Sequence, residues 1–498
     1  MSTNIRVRFA PSPTGWLHIG SLRAVLFDYL IAKTLNGKLI LRIEDTDEKR
    51  QVAGAVEGLI NILDWVGIKF DEGPHIGGKL GPYTQSERLE IYKEYVEVIL
   101  KKGAAYHCFC TPERLTEMRE KQQAENKPPR YNRLCRELSQ AEVKKKIKNH
   151  EPFVIRQKMP LDGEIIVHDE LRGHIKFMAN DLEDQILIKS DRRPTYQFAS
   201  VVDDRLMEIS HVLRGEEWIS SFPKNILLYQ AFGWPAPKFI HLTLTLNKEG
   251  GKLSKRQGDV AVEDYKDKGY LPEAILNFCV LQGWHPSASA KAPKEKTAEI
   301  LSLDEMIAYF DYKDMGISPA IFDMEKLDYF NGYYIRQMSL EKLAKLCLPF
   351  IGENLKLTSD SRKQSDDYIK KAIGLEQERL KKLSDIGELT KFLFRDELNY
   401  EAKLLIWKKL SGRQVKENLQ VIYDLLEKIT DSDWLEEMIE KYIIDYFKAR
   451  ELKVGDYLWP MRVALTGQSA SPGPFAVAEV LGKEESLKRI NQAIKKLL

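Results

Sequence analysis

The chain has 498 residues, 43% hydrophobic and 30% charged, a balance that belongs to proteins with buried cores and excludes a disordered or fibrous chain. Its 76 Lys and Arg nearly cancel 74 Asp and Glu, so a phosphate-rich partner must be met by local basic surface rather than by the net charge of +2. Five cysteines exclude a disulfide scaffold, and no stretch reaches signal-peptide or membrane-span length, so the expected setting is the cytoplasm, with no membrane partner.

The length predicts about two to four domains. Residues 5–10 alternate polar and apolar like a strand; a loop rich in Pro and Gly follows, then a helix-spaced run (21–35) and the strand-like KLILRIED. Strand, loop, helix and strand in that order usually open a nucleotide-binding α/β domain. Helical spacing recurs at 53–66 and 87–102. Cysteines, a basic loop and short strands (FVIRQKM, EIIVHDEL) then mark an insertion, after which QILIKS, PTYQFASVVDD, NILLYQAFGW and KFIHLTLTL resume the α/β pattern. Residues 286–298 form a loop of low hydrophobicity, and amphipathic helices rich in Lys and Glu fill the chain beyond about 335.

The expected fold class is therefore multidomain, α/β followed by all-α. A Rossmann-like parallel-sheet domain spans 1–104 and 186–260, with an inserted α+β domain at 105–185. A helical domain at 261–334 and an all-helical region at 335–498 complete it.

Two motifs carry the chemistry. Pro11-Ser12-Pro13-Thr14-Gly15-Trp16-Leu17-His18-Ile19-Gly20 lies between the first strand and a helix, where phosphates meet backbone amides and a helix N-terminus. Lys252-Leu253-Ser254-Lys255-Arg256 follows Gly250-Gly251 and can close positive charge over a triphosphate. Alone, the first is more often a turn with a surface histidine, and the second a solvated charge run. Together, at the two ends of one α/β region, they resemble the signature of class I aminoacyl-tRNA synthetases.

With FAPSPTGWLHIG followed by RIEDTD (42–47), and with DEGP, GPYTQSER, PTYQFASVVDD, VLRGEEW, AFGWPAP, LPEAILNF and LTGQSASPGPF in order, the resemblance narrows to bacterial glutamyl-tRNA synthetases and covers nearly the whole chain. It implies a cytoplasmic, monomeric ligase that joins L-glutamate to tRNA(Glu) in two steps, using ATP and Mg2+ and releasing pyrophosphate. ATP would be bound by Pro11, Ser12, Gly15, His18, Gly20, Lys252, Ser254, Lys255 and Arg256, with His18, Lys252 and Lys255 catalytic. Glutamate would be bound by Arg8, Ala10, Ser12, Glu44, Tyr196, Ser200 and Arg214. The guanidinium groups of Arg8 and Arg214 would read a carboxylate against an amide, and Glu44 would hold the α-ammonium. Two departures stand out: the last His of the HIGH motif is Ser21, and a position usually Asn in the family is Ser200, which keeps a hydroxyl and loses an amide.

Cys108, Cys110 and Cys135 crowd one region and point to structural Zn2+, which takes four ligands. The family's C-x-C…C-x-H pattern here ends in Glu137; Tyr131 and, more weakly, His107 are the other candidates. Cys279 and Cys347 read as small buried hydrophobes. For the anticodon, the resemblance offers Arg379, Arg462 and Ser471. Rival readings are a non-discriminating enzyme that also charges tRNA(Gln) and an inactive tRNA-binding paralogue. Intact His18, Glu44, Lys252 and Lys255 argue against the latter.

Overall fold

A computed structural model describes residues 5–47, 52–251, 261–286, 291–292 and 299–497. The chain divides into two units, residues 1–266 with 272–324 and residues 267–271 with 325–498.

The first unit is built on parallel strands. β1 (Arg6–Phe9), buried at every residue, pairs in parallel with β2 (Lys38–Leu41), Arg6 opposite Lys38 and Phe9 opposite Leu41. α1 (Ile19–Thr34) makes the crossover. Leu22, Val25, Leu26, Leu30 and Ile31 are fully buried, and the helix is apolar almost all round, as a core helix must be. α2 (Ala55–Trp65) and α3 (Leu89–Lys101) follow, close to the expected spans, and α3 buries Tyr92, Val96 and Ile99 on one face.

The inserted segment then opens. β3 (Ala105–Cys108) leads through α4 (Pro112–Ala124) and α5 (Gln140–Lys148) to β4 (Val154–Gln157), its antiparallel partner. α5 starts on a reciprocal capping box between Ser139 and Glu142. β5 (Glu164–Asp169) and β6 (Gly173–Met178) form an antiparallel hairpin, and β7 (Ile186–Ile188) pairs with β4.

The α/β pattern resumes with α6 (Tyr196–Leu206), β8 (His211–Gly215), α7 (Phe222–Phe232) and β9 (Lys238–Leu242). β8 and β9 are parallel, and the Ser210 N–H donates to Arg6 O at 2.9 Å, which joins them to β1. The inserted hairpin also joins this sheet: Asp169 pairs with Phe239, and the Glu170 N–H donates to Phe239 O at 2.9 Å.

The single strand expected over 238–246 breaks after Leu242. Thr243 O is taken by Arg23 Nη1 at 2.7 Å and the Leu244 N–H by Glu216 Oε1 at 2.8 Å, so neither group is left for a ladder. β10 (Thr245–Leu246) then pairs with β11 (Ala320–Ile321). α8 (Val262–Asp267) and α9 (Pro272–Val280) follow β10 in the chain, and Cys279 is buried in the latter, as expected.

The second unit holds no strand among its described residues. The helix Gly412–Lys428 opens on a Ser411–Gln414 capping box and buries Val415, Leu419, Ile422 and Leu426 at helical spacing. The helix Lys483–Lys496 buries Arg489, whose guanidinium donates to Leu465 O at 2.7 Å and Arg395 O at 2.8 Å and pairs with Glu485 at 2.8 Å. Cys347 is fully buried in the helix Leu340–Leu355. No described helix is long and apolar enough to cross a membrane.

Candidate functional site

Parallel strands leave a crevice beyond their C-terminal ends, where the chain turns into loops and helices. Here that crevice is a cavity of about 540 Å³ lined by Arg8, Ala10, Ser12, Glu44, Tyr196 and Arg214. All six were expected to hold the amino acid. Ser200, the seventh, is buried one helical turn beyond Tyr196 in α6 and does not line it. Asp28, on α1, does.

The charges are held in place by a buried network. Arg42, fully buried, donates to Asp204 at 2.7 Å and to Glu44 at 2.9 Å. Arg8 donates to Asp204 at 3.0 Å and to Leu213 O at 3.3 Å. The neighbouring Asp203 accepts from Arg88 at 2.7 Å, Tyr92 at 2.8 Å and Gln85 at 2.9 Å. Burial opposes ionisation of Asp204, but Arg42 and Arg8 outweigh it and hold the carboxyl below its usual range. Glu44 has less compensation: burial dominates over Arg42 and Arg8 and pushes its carboxyl up to about 7.

Arg214 is aimed by a chain of polar contacts that the sequence reading missed. Its Nε donates to His241 Nε2 at 3.0 Å, and His241 Nδ1 donates in turn to Asp169 at 2.7 Å. Its Nη1 donates to Asn225 Oδ1 at 3.1 Å, and Asn225 is tied to Gln197 at 2.7 Å. Burial holds the His241 imidazole below its ordinary range, so it stays neutral and can accept from Arg214. The signal was available as polar residues at buried positions of apolar runs: His241 in KFIHL, Asp169 in EIIVHDEL and Asp28 in AVLFDYL.

The His18 loop caps α1. His18 is the N-cap residue, and its Nδ1 accepts from the Gly20 N–H at 2.9 Å. A ring whose Nδ1 accepts carries its proton on Nε2, which is a donor suited to phosphate. Gly15 has φ +127° and Gly20 lies against the ring, where a Cβ would come within 3.1 Å of Nδ1. Pro11 O accepts from the Glu44 N–H at 3.0 Å, tying this loop to the pocket. Lys252, Ser254, Lys255 and Arg256 lie outside the described residues. Just beyond them, the Val262 N–H donates to Leu17 O at 2.8 Å, which brings the chain back beside His18.

A second cavity, of about 1200 Å³, adjoins the first and shares Thr195, Tyr196 and Trp218 with it. The Tyr196 and Trp218 rings lie 4.7 Å apart. Its other walls come from the inserted segment and α7, with Phe109, Phe153, Arg119 and Lys224 among them.

In that segment the sulfurs of Cys108, Cys110 and Cys135 lie within 4.8 Å of one another, close to the span that two Zn–S bonds of about 2.3 Å allow. The Tyr131 hydroxyl is 3.2 Å from Cys108 Sγ and 3.6 Å from Cys110 Sγ, and the tyrosine is buried. The Glu137 side chain is 87% exposed and pairs with Arg136 at 3.9 Å. The His107 ring packs instead on Phe153, 4.8 Å away. Three soft sulfur donors with one oxygen suit zinc rather than magnesium or calcium.

In the second unit Arg379 donates to Glu376 at 2.7 Å and to Ala470 O at 3.2 Å, the carbonyl next to Ser471. Arg462 lies half-buried in the helix Val454–Thr466, and Ser471 Oγ donates to Pro472 O at 3.1 Å.

Comparisons with known proteins agree with this arrangement. Residues 4–329 match the family model for the catalytic domain of class I tRNA synthetases (E and Q), and residues 342–494 match an anticodon binding domain. A glutamate–tRNA ligase of Clostridium botulinum (strain Okra) is 45% identical over 499 residues, covering 100% of this chain and 99% of that one. One from Clostridium tetani is 46% identical, covering 99% and 98%. Among solved structures, a glutamate tRNA ligase from Elizabethkingia meningosepticum, in complex with its amino acid, superposes with a TM-score of 0.88 at 38% identity, covering 99% of this chain and 100% of that chain.

Proposed function

Because this chain belongs to the bacterial-type glutamyl-tRNA synthetases of class I and ligates glutamate to tRNA, we propose that the 540 Å³ cavity is where glutamate meets ATP. The observation that carries this reading is Arg214, clamped by His241 and Asn225, with its buried Nη2 lacking a hydrogen-bond partner among the described residues. A buried, unsatisfied guanidinium nitrogen in a cavity calls for an anion, and with Arg8 beside it the side-chain carboxylate of glutamate fits. Glu44 then takes the α-ammonium, which leaves the α-carboxylate to react.

Activation needs no protein nucleophile. The α-carboxylate attacks the α-phosphate of ATP, and the tRNA terminal hydroxyl then attacks the adenylate. Catalysis is positioning plus charge stabilisation. His18 donates from Nε2 to phosphate oxygens beside Pro11, Ser12, Gly15 and Gly20. Lys252, Ser254, Lys255 and Arg256 close over the triphosphate and neutralise the leaving pyrophosphate. Mg2+ arrives with ATP and offsets its charge.

The second cavity, sharing the Tyr196–Trp218 throat, takes the tRNA 3′ end, and the second unit reads the anticodon through the surface around Arg379, Arg462 and Ser471. In the inserted segment Cys108, Cys110, Cys135 and the Tyr131 oxygen would hold one zinc, whose contribution is structural. The protein acts in the cytoplasm.

The test is glutamate-dependent ATP–pyrophosphate exchange with glutamate tRNA present. Lys255→Ala is expected to lower kcat about 100- to 1000-fold. Absence of exchange in the unmodified protein would sink the reading of the pocket, and full activity in the variant would sink the role of that loop.

A further inference from the structure

Arg214 is held on two sides that differ in exposure. On one side, His241 and Asp169 are fully buried and line neither cavity. On the other, Arg214 Nη1 donates to Asn225 Oδ1 at 3.1 Å, and Asn225 Nδ2 donates to Gln197 Oε1 at 2.7 Å. Asn225, on α7, is buried. Gln197, in the first turn of α6, is half-buried and lines the second cavity beside Tyr196 and Trp218. Two intervening amides thus join the cavity of the tRNA 3′ end to the arginine that reads the amino acid.

The direction of this chain is dictated from its Arg214 end. A guanidinium only donates, so the Asn225 atom that meets it is the carbonyl oxygen. The amide nitrogen of Asn225 therefore faces Gln197, and only the carbonyl oxygen of Gln197 can accept from it. With Oε1 turned to Asn225, Nε2 is the polar atom that Gln197 has left for the cavity. It donates to no group among the described residues. Reversing the Gln197 amide would set two NH2 groups against each other. The chain therefore offers the second cavity a donor, and the matching ligand atom is an acceptor. A tRNA 3′ end carries such acceptors as base carbonyls, ring nitrogens and ribose hydroxyls.

A contact at Nε2 would act on Arg214 in two ways. It orders a half-buried side chain whose rotamer freedom otherwise loosens the next link. It also polarises the amide, which makes Gln197 Oε1 a better acceptor for Asn225 and, one bond on, Asn225 Oδ1 a better acceptor for Arg214.

We propose that Gln197 is a positioning residue: its amide NH2 donates to an acceptor atom of the tRNA 3′ end, and through Asn225 that contact holds Arg214 in the geometry that reads glutamate. The proposal rests on the readings given above, that the first cavity takes glutamate and the second the tRNA 3′ end. No bond is made or broken in the relay, and every proton stays on its nitrogen.

The test is equilibrium binding of glutamate to the full-length protein without ATP. It is measured with intact glutamate tRNA and with the same tRNA lacking its terminal CCA. In the wild type the intact tRNA is expected to tighten glutamate binding about tenfold relative to the truncated one. Linkage is reciprocal, so glutamate must tighten the intact tRNA by the same factor. Two variants keep the volume of Gln197 and change its ends. Gln197→Glu keeps an oxygen for Asn225 and replaces the outer donor by an acceptor, whereas Gln197→Met removes both. The tenfold ratio is expected to fall to about twofold or less in each.

A merely structural role, met by the bond to Asn225, would leave the ratio unchanged in Gln197→Glu. That result, or a wild-type ratio near one, overturns the proposal. Should Gln197→Met not fold, Gln197→Glu decides by itself. Failure of the underlying readings shows elsewhere. If Arg214→Ala binds glutamate as the wild type does, the first cavity is misassigned and the proposal falls with it. If a tRNA with photoreactive nucleosides in its terminal CCA attaches nowhere along the walls near Phe109, Phe153 and Trp218, the second is misassigned, with the same consequence. With both readings intact, an unchanged ratio fails the relay alone.

Discussion

Arg214 on β8 donates from Nε to Nε2 of His241 on the neighbouring strand, at 3.0 Å. His241 is itself held by Asp169 at 2.7 Å, so a carboxylate from the inserted hairpin fixes the tautomer that receives Arg214. Removing the imidazole leaves a buried guanidinium N–H unmatched and takes the side-chain donor from Asp169, whose carboxylate keeps the backbone N–H groups of Leu171, Arg172 and position 241. His241→Ala is expected to raise KM for glutamate about 10- to 100-fold, with a smaller effect in His241→Gln, whose side-chain oxygen can still accept. Steady-state aminoacylation with varied glutamate checks this, and an unchanged KM in the alanine variant contradicts it.

Glu44 gives the pocket a pH dependence of known sign. Burial pushes its carboxyl up to about 7, and only the ionised form attracts an ammonium group. The value of kcat/KM for glutamate is therefore expected to fall tenfold per pH unit as pH drops below about 7. Glu44→Gln should be low and flat over the same range. A wild-type profile that stays level down to pH 5.5 removes Glu44 from this role.

His211 makes the fold acid-sensitive. It is 3% exposed; burial, helped by Lys238, pushes its imidazole down from 6.5 to about 4. The unfolded chain takes up a proton near its ordinary pKa and the folded chain does not. The stability is thus complete above about 6.5 and is lost as pH falls toward 4, by about 3 kcal/mol in all. In His211→Phe that component is absent. Urea unfolding at pH 7.5 and pH 4.5 should show the smaller acid loss in the variant, and equal losses in both proteins would refute it.

The zinc reading separates two residues. Metal analysis is expected to find one zinc per chain. Tyr131→Phe should weaken metal retention against a chelator about 10- to 100-fold, while Glu137→Ala, at an 87% exposed side chain, should leave it unchanged. Loss of metal in the Glu137 variant with retention in the Tyr131 variant would reverse the assignment.

Residues whose chemistry is local were legible in the sequence. Arg8, Glu44, Tyr196 and Arg214 come from four segments, yet each sits in a motif, and all four line one cavity. The same holds for the helical second unit, because amphipathic spacing is a local pattern. What escaped is what depends on pairing between distant segments. The strand expected over 238–246 ends at Leu242 because Arg23 and Glu216 compete for its backbone, and neither is near in sequence. His241 and Asp169 look like ordinary strand residues until β5 and β9 lie side by side. Ser200, which the family pattern assigns to the amino acid, is buried one turn along α6 from Tyr196.

The pairing of Asp169 with Phe239 bears on how this enzyme can be cut or grafted. Excising residues 105–185 to obtain a minimal activating module would remove the strand edge beside β9 together with the anchor of His241. The remaining piece would keep both ATP motifs yet read its amino acid poorly. A transplant of the insertion from a relative must bring a matching hairpin with it. Shuffling boundaries are better set outside β5 and β6, so that the hairpin travels with the sheet it completes.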